Sequence, residues 1–313
     1  MTAINNPQTI EFLREHDNFL IINHRRPDGD AVGSAAALCR SLRQMGKAAW
    51  VWKNPETIER YLPYLTGLET ETEPENATLV SVDLATENLL PLNGSGFAGR
   101  IRLSIDHHIS NEGYAALANV QPKKAACGEL LVEILEALGP ITPEMADALY
   151  VAVSTDTGCF QYSNVTGDTL RTAAELKDLG ADTFPINKVM FGTKTIARLR
   201  LESALTESAE FYGDGLVCVC GISQSLMDTL GATEDDVDDI SSFPRSIEGV
   251  QIGVLVKELR EGGAKISLRT GEAYNASDIC ARLGGGGHRA AAGAQDDTGM
   301  ARARERILQA IAD

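Results

Sequence analysis

Phe19-Leu20-Ile21-Ile22-Asn23-His24-Arg25-Arg26-Pro27-Asp28-Gly29-Asp30-Ala31-Val32-Gly33-Ser34 is the run from which the rest of the chain can be read. Four successive apolar residues, Phe19 to Ile22, suit a short buried strand, and Asp30 to Met45 has helical content that ends near Gly46. Between strand and helix stand His24, Asp28 and Asp30. In an open parallel sheet the ligand crevice lies outside the carboxyl ends of the strands, so these side chains fall where chemistry is done. His24 alone is more commonly a structural histidine, and Asp28-Gly29-Asp30 alone a turn. The weight comes from what recurs downstream.

Ala48 to Trp52, Thr78 to Val82 and Ile101 to Ile105 are further strand-like runs. Asp83 ends one of them, and Asp106-His107-His108 ends another. Gly128 to Leu138 is an amphipathic helix closed by Gly139-Pro140; Pro143 to Val153 and Thr166 to Leu179 read as two more. The run Leu149 to Val153 delivers Asp156, within Ser154-Thr155-Asp156-Thr157-Gly158, toward the same rim. Strands alternating with helices predict an α/β fold whose N-terminal half is a doubly wound, mostly parallel sheet covered on both faces. We expect this domain to span residues 1–185, with a partly helical linker at 186–208. A smaller α/β domain is expected at 209–313, with strands at Leu216 to Ile222, Val250 to Leu259 and Ala264 to Arg269, and helices around Ser277 to Leu283 and Met300 to Ala312. There the run Gly284-Gly285-Gly286-Gly287-His288 precedes an alanine-rich, helix-like stretch. Glycines that open a helix leave backbone N–H groups free for a phosphate.

Carboxylates and imidazoles from independent segments would repel one another, or leave buried charge unpaired, unless cations neutralise them. Oxygen-rich ligands with some imidazole and no thiolate favour a pair of hard divalent ions, Mn²⁺ or Mg²⁺ first, with Co²⁺ or Fe²⁺ as alternatives. His16 has no such company and reads as a surface histidine. The six cysteines form no CxxC pair, and Cys218 and Cys220 alternate onto one strand face, so reduced thiols are expected.

The chain has 313 residues, 43% of them hydrophobic, and a formal net charge of −16. That charge argues against tracking long nucleic acid, which needs a basic footprint. A small anionic substrate stays open, because bound cations and local arginines can reverse the sign of one cleft. The acidic run Glu234-Asp235-Asp236-Val237-Asp238-Asp239 after Thr233 reads as a capped, solvated helix start rather than a third metal site. No apolar run reaches membrane length and the N-terminus has no signal-peptide shape, so a cytoplasmic location without membrane partners is expected.

At these residues the sequence resembles the DHH–DHHA1 phosphoesterases, named for a motif that stands here as Asp106-His107-His108. His24 to Ser34 looks like the family's first motif, Asp83 matches the second, Ile105 to Asn111 the third, and Ser154 to Phe160 the fourth. Gly284 to Gly293 looks like the DHHA1 substrate-binding motif. Among members the chain is most similar to nano-RNases that also dephosphorylate 3′-phosphoadenosine 5′-phosphate (pAp). The resemblance implies that His24 and Asp28 hold one metal, that Asp30, His107 and Asp156 hold the other, and that Asp83 bridges them. It places His108 beside the scissile phosphate and Asp106 behind it as an orienting group. It gives Arg269, His288 and the Gly286 and Gly287 amides to the substrate's other phosphate, across a cleft between the two domains. Asp83 lacks a following arginine, and Cys159 and Gln161 stand where relatives often carry basic or other polar residues. Those departures bear on substrate preference.

The resulting expectation is a two-metal hydrolase. A metal-bridging hydroxide cuts short oligonucleotides to 5′-mononucleotides and pAp to AMP and phosphate. The rivals are a pyrophosphatase or polyphosphatase, a phosphodiesterase for small nucleotides derived from cyclic dinucleotides, a long-strand exonuclease, and an inactive nucleotide-binding regulatory module. The oligomeric state stays open, a homodimer included.

Overall fold

A computed structural model describes residues 1–237 and 239–313; Asp238, inside the acidic run, lies outside the described residues. The chain divides into two units, Met1–Thr193 and Lys194–Asp313.

The first unit is built on seven strands: β1 (Thr2–Ala3), β2 (Phe19–Ile22), β3 (Ala49–Trp52), β4 (Glu69–Thr70), β5 (Thr78–Val82), β6 (Leu103–Asp106) and β7 (Leu117–Val120). They lie in the order β1-β7-β6-β5-β2-β3-β4 and every pairing is parallel. The chain moves outward from β2 through β3 to β4, then returns to β5 on the other side of β2. The switch point of the sheet therefore lies between β2 and β5, where a parallel sheet opens a crevice. Side chains alternate between two cores as the pleat requires. Phe19, Ile21, Val80, Val82, Leu103 and Ile105 join the larger one. Leu20, Ile22 and Leu79 face a smaller one with Trp52, Leu84 and Phe97, beside short 3-10 segments at Glu87–Leu89 and Leu92–Phe97 rather than long helices.

The helices of this unit are α1 (Asn6–Glu15), α2 (Gly29–Gln44), the short α3 (Leu62–Leu65), α4 (Cys127–Leu138), α5 (Pro143–Asp156), α6 (Gly167–Asp178) and the short α7 (Thr183–Asn187). Asn5 and Gln8 form a reciprocal capping box on α1, whose far end carries His16, its Nδ1 against the Phe12 carbonyl. Small residues let α2 lie directly on α5. A Cβ at Gly33 would stand 2.1 Å from the Ala148 carbonyl, and one at Gly29 would meet the Thr155 side chain at 2.4 Å. A Cβ at Gly128 on α4 would meet Ala152 at 2.5 Å.

The second unit opens with α8 (Ile196–Glu207) and continues through β8 (Glu210–Tyr212), β9 (Val217–Ile222), α9 (Gln224–Leu230), α10 (Glu234–Val237), β10 (Ile252–Glu258), β11 (Ala264–Thr270), α11 (Ala276–Ala281), β12 (Gly286–Gly287), β13 (Ala291–Asp296) and α12 (Met300–Ala312). Its six strands run β12-β13-β11-β10-β9-β8, with β9 and β10 parallel and the other pairs antiparallel. Cys218 and Cys220 share one face of β9, with sulfurs 3.9 Å apart, and lie in the core beside Leu201 and Leu205 of α8. All six cysteines are free, and Cys159 is the one that is not buried.

The stretch 186–208, read from sequence as a linker, includes this α8. Its Leu201 and Leu205 are fully buried in the second unit, because they recur at the four-residue spacing of one helix face. The alanine-rich stretch after the glycines, expected to be helical, is strand β13. The glycines ahead of it lie tight against this strand: a Cβ on Gly285 would stand 2.1 Å from the Gly293 carbonyl. In the acidic run, Asp236 turns inward and accepts hydrogen bonds from the Thr233 N–H and hydroxyl, and it pairs with Thr195.

Candidate metal centre and phosphate-binding residues

Strand β5 lies between β2 and β6, with Ile22 beside Ser81 and Val82 beside Ile105. The residues just past each strand thus emerge along one edge of the sheet, with neighbours about 4.8 Å apart. β2 delivers His24 and, through the start of α2, Asp28 and Asp30. β5 delivers Asp83, and β6 delivers Asp106-His107-His108. The last residue of α5, Asp156, arrives from the helix that Gly29 and Gly33 allow to lie close. Asp83 has φ +52°, in the left-handed region that non-glycine residues rarely adopt, while its N–H still donates to the Ile105 carbonyl at 3.0 Å. Backbone strain of this kind gathers at functional positions.

Two triads result. His24, Asp28 and Asp83 form one, and Asp30, His107 and Asp156 form the other. His24 Nε2 lies 3.8 Å from Asp28 and 3.7 Å from Asp83. His107 Nε2 lies 3.6 Å from Asp30, 3.4 Å from Asp83 and 3.3 Å from Asp156. A further overlapping group is Asp83, His107 and His108. Asp83 Oδ1 and His107 Nε2 are buried and have no hydrogen-bond partner. Buried polar atoms are rarely left so, and these separations exceed hydrogen bonds while suiting donors that share a small cation. The donor set, carboxylates with imidazole and no thiolate, fits a hard divalent ion. These residues can hold metal.

The ring orientations are fixed from behind. His24 Nδ1 faces the Arg25 carbonyl at 2.8 Å and His107 Nδ1 faces the Lys124 carbonyl at 3.2 Å, so both rings turn Nε2 toward the carboxylates. His108 differs: its Nδ1 lies 2.7 Å from Asp106 Oδ1, a carboxylate rather than a backbone carbonyl. Asp106 Oδ1 also accepts the N–H groups of His107 and His108, and Oδ2 accepts Asn111 Nδ2 at 2.7 Å. Such a saturated carboxylate orients its neighbours. Asp30 is shared in another way. Its oxygens accept the N–H groups of Cys127 and Gly128 at 2.6 and 2.8 Å, and the Ser34 hydroxyl, so it caps the start of α4 while facing His107.

The crowding sets where the protons of the cluster reside. Burial raises Asp30 well above the usual carboxylate range, and the Asp83 and Asp156 charges add to it. Burial also pushes Asp156 up to about 7; His107 opposes the rise, while Asp28 and Asp83 support it. Burial would raise Asp83 too, but the imidazoles of His107 and His24 outweigh it and hold Asp83 well below the ordinary value. Burial would lower His24 and His107, yet the facing carboxylates carry both well upward. Protons here occupy the role of positive charge that a divalent ion would take over.

In the second unit, Arg269 on β11 is half-buried and donates to the Ser241 hydroxyl at 2.8 Å and to the Leu268 carbonyl. Ser241 is a partner that sequence does not reveal, since a serine in the 3-10 stretch Ile240–Ser246 carries no signal of its own. Gly286 and Gly287 form the edge strand β12 rather than a helix start, and they are exposed together with His288. His288 closes the hairpin to β13, its N–H donating to the Ala291 carbonyl at 2.8 Å. Gly287 has φ +145°, and a Cβ there would meet the Ala291 carbonyl at 2.6 Å.

Residues 18–153 match the DHH family, N-terminal domain, and residues 217–313 match the DHHA1 domain. The chain is 33% identical to the bifunctional oligoribonuclease and PAP phosphatase NrnA of Thermus thermophilus over 93% of its own length and 88% of that protein's. It is 27% identical to the cyclic-di-AMP phosphodiesterase PdeA of Listeria monocytogenes, over 96% of this chain but 48% of that longer protein. In fold it is similar to an exopolyphosphatase-related protein from Bacteroides fragilis, with a TM-score of 0.86 at 23% identity, covering 97% of this chain and 94% of that one. No helix among the described residues is long and apolar enough to cross a membrane. The switch-point cluster of histidines and aspartates and the matched domains lead to one conclusion: the chain belongs to the DHH–DHHA1 family and is a hydrolase acting on phosphoester bonds.

Proposed function

We propose that this enzyme cuts short oligonucleotides to 5′-mononucleotides and removes the 3′-phosphate of pAp, using two divalent ions, Mn²⁺ foremost. His24 and Asp28 would hold one ion, Asp30, His107 and Asp156 would hold the other, and Asp83 would contribute to both. The observation that carries this reading is the orphaned pair Asp83 Oδ1 and His107 Nε2, 3.4 Å apart where the two triads meet. When bound, such ions supply Lewis acidity toward phosphoryl oxygens and acidity toward water.

The protein's own groups then orient the substrate. Burial lowers the affinity of His108 for a proton, but Asp106 and Asp83 outweigh it and raise the group, so the ring can donate from Nε2 to a phosphoryl oxygen. Asp106 keeps that ring in its donating orientation. Arg269, held by Ser241, offers its guanidinium fork to a second phosphate, and His288 and the exposed Gly286–Gly287 edge offer further donors. Both substrate types present a phosphoester at a ribose 3′-oxygen and a further phosphate. The activities in the name of the Thermus relative support this choice, and so does the net charge of −16, which disfavours longer strands.

The deciding experiment is a Mn²⁺ activity panel of pAp, a dinucleotide, a 20-mer, pyrophosphate, polyphosphate and cyclic di-AMP. Turnover of pAp and the dinucleotide well above the rest is expected. Preference for pyrophosphate or polyphosphate would overturn the nucleotide assignment. Preference for the cyclic dinucleotide would move the enzyme toward the activity named for the Listeria relative.

A further inference from the structure

Glu129 is a buried carboxylate for which the proposed chemistry has no use. It is 2% exposed and stands third in α4. One oxygen accepts the Ala125 N–H and the Thr169 hydroxyl, each at 3.0 Å, and the other lies 3.3 Å from Lys124 Nζ. Glu129 therefore grips the segment 121–126 that enters α4. That segment and the first turn of α4 are linked to every member of one triad, two directly and one through Asn164. The Lys124 carbonyl faces His107 Nδ1, and the N–H groups of Cys127 and Gly128 just beyond it donate to Asp30. Asn164 bridges the Ala125 carbonyl to the Asp156 carbonyl at 3.1 and 3.0 Å. The other triad is held differently: His24 leans on the Arg25 carbonyl, and Asp28 caps α2 by accepting the Ala31 N–H.

We propose that Glu129 is a positioning residue for one of the two metal sites, fixing Asp30, His107 and Asp156 through a single backbone segment and leaving the His24–Asp28 site unaffected. The proposal rests on the two-ion reading above. Groups behind metal ligands typically govern affinity by about 10–100-fold, and Glu129 would exert that influence on one ion alone. Glutamine at this position still accepts the Ala125 N–H, so it should restore much of what alanine loses.

The test is Mn²⁺ titration by calorimetry, with metal content measured after gel filtration, on wild type, Glu129→Ala, Glu129→Gln and Thr169→Val. Wild type should bind two ions. In Glu129→Ala one step should weaken about 10–100-fold while the other stays within about twofold, and the recovered protein should retain close to one ion. Glu129→Gln should fall between, and Thr169→Val, which removes one contact and keeps the fold, should weaken the same step less. Equal weakening of both steps, or none, in variants with a native melting profile would overturn the role of Glu129. If Glu129→Ala fails to fold, an unchanged sensitive step in both Glu129→Gln and Thr169→Val does the same. A single binding step in wild type would overturn the two-ion reading, and this inference with it.

Discussion

The two units handle charge in opposite ways. In the first, titratable groups are buried, crowded and fixed by backbone carbonyls, as His24 is by Arg25 and His107 by Lys124. In the second, the candidate groups are exposed or half-buried: His288 on a hairpin, Gly286–Gly287 on a sheet edge, and Arg269 donating to Ser241 and to the Leu268 carbonyl. A parallel sheet gathers side chains at its carboxyl edge, which suits cation binding by converging carboxylates. A glycine-rich antiparallel edge exposes backbone, which suits contact with an anion. The first unit gathers buried carboxylates and imidazoles that could hold a cation, and the second leaves backbone, an imidazole and a guanidinium near its surface.

The contrast between cluster and surface turns first on Asp83. It belongs to one triad and its orphaned oxygen faces His107 of the other, so Asp83→Ala should lower turnover more than about 1,000-fold and reduce bound metal on elemental analysis. Near-normal turnover would mean the cluster is not the reaction centre. The adjacent histidines divide the cluster more finely. His107→Ala should lose metal, whereas His108→Ala should keep it and lose about 100- to 1,000-fold in kcat. Metal loss in both, or only in His108→Ala, would remove the distinction drawn from their ring orientations.

The second unit should respond selectively. Arg269→Ala and His288→Ala should lower kcat/KM for pAp and dinucleotides by about 10- to 100-fold, the effect of losing a charge-assisted hydrogen bond. A nitrophenyl phosphodiester, which has no second phosphate, should be cut almost as before. Equal losses on both substrates would show that the units do not divide the work.

The smallest effect concerns pH. Asp156, raised to about 7 in the metal-free fold, must lose its proton to bind an ion, and His24 and His107, both raised, must be neutral. A carboxyl whose folded value lies above its unfolded one stabilises the fold less as pH rises, so the metal-free protein should lose stability between about pH 4 and 7. Metal binding should strengthen over the same direction, by up to about tenfold per pH unit for each proton displaced. Melting curves with and without Mn²⁺ should therefore separate further at pH 7.5 than at pH 6. A separation that shrinks would mean the ion binds elsewhere.

Much of the first unit was legible because an apolar strand run is followed by a histidine at Ile22 and by an aspartate at Val82 and Ile105, and a buried parallel strand leaves a plain apolar run. Asp156 was legible as the end of a helix. What could not be read were the backbone partners. The Lys124 and Arg25 carbonyls that orient two imidazoles have no side-chain signature, and neither does the left-handed backbone at Asp83. In the second unit the alanines of β13 carried helix propensity, and close strand packing overrode it. The contact of Ser241 with Arg269 spans 28 positions and leaves no local pattern. The leucines of α8 were present in the sequence, but polar and basic neighbours masked their spacing.

The close approach of α2 and α4 to α5 has a consequence for any mutational map of this enzyme. Hypothetical side chains on Gly29, Gly33 and Gly128 would strike Thr155, Ala148 and Ala152, a single stripe of α5 just ahead of Asp156. In a screen that scores only loss of turnover, these three glycines would rank beside the aspartates while contributing no functional group. Scoring the abundance of each variant in parallel would separate them, since a crowded glycine position loses folded protein and a lost carboxylate loses chemistry.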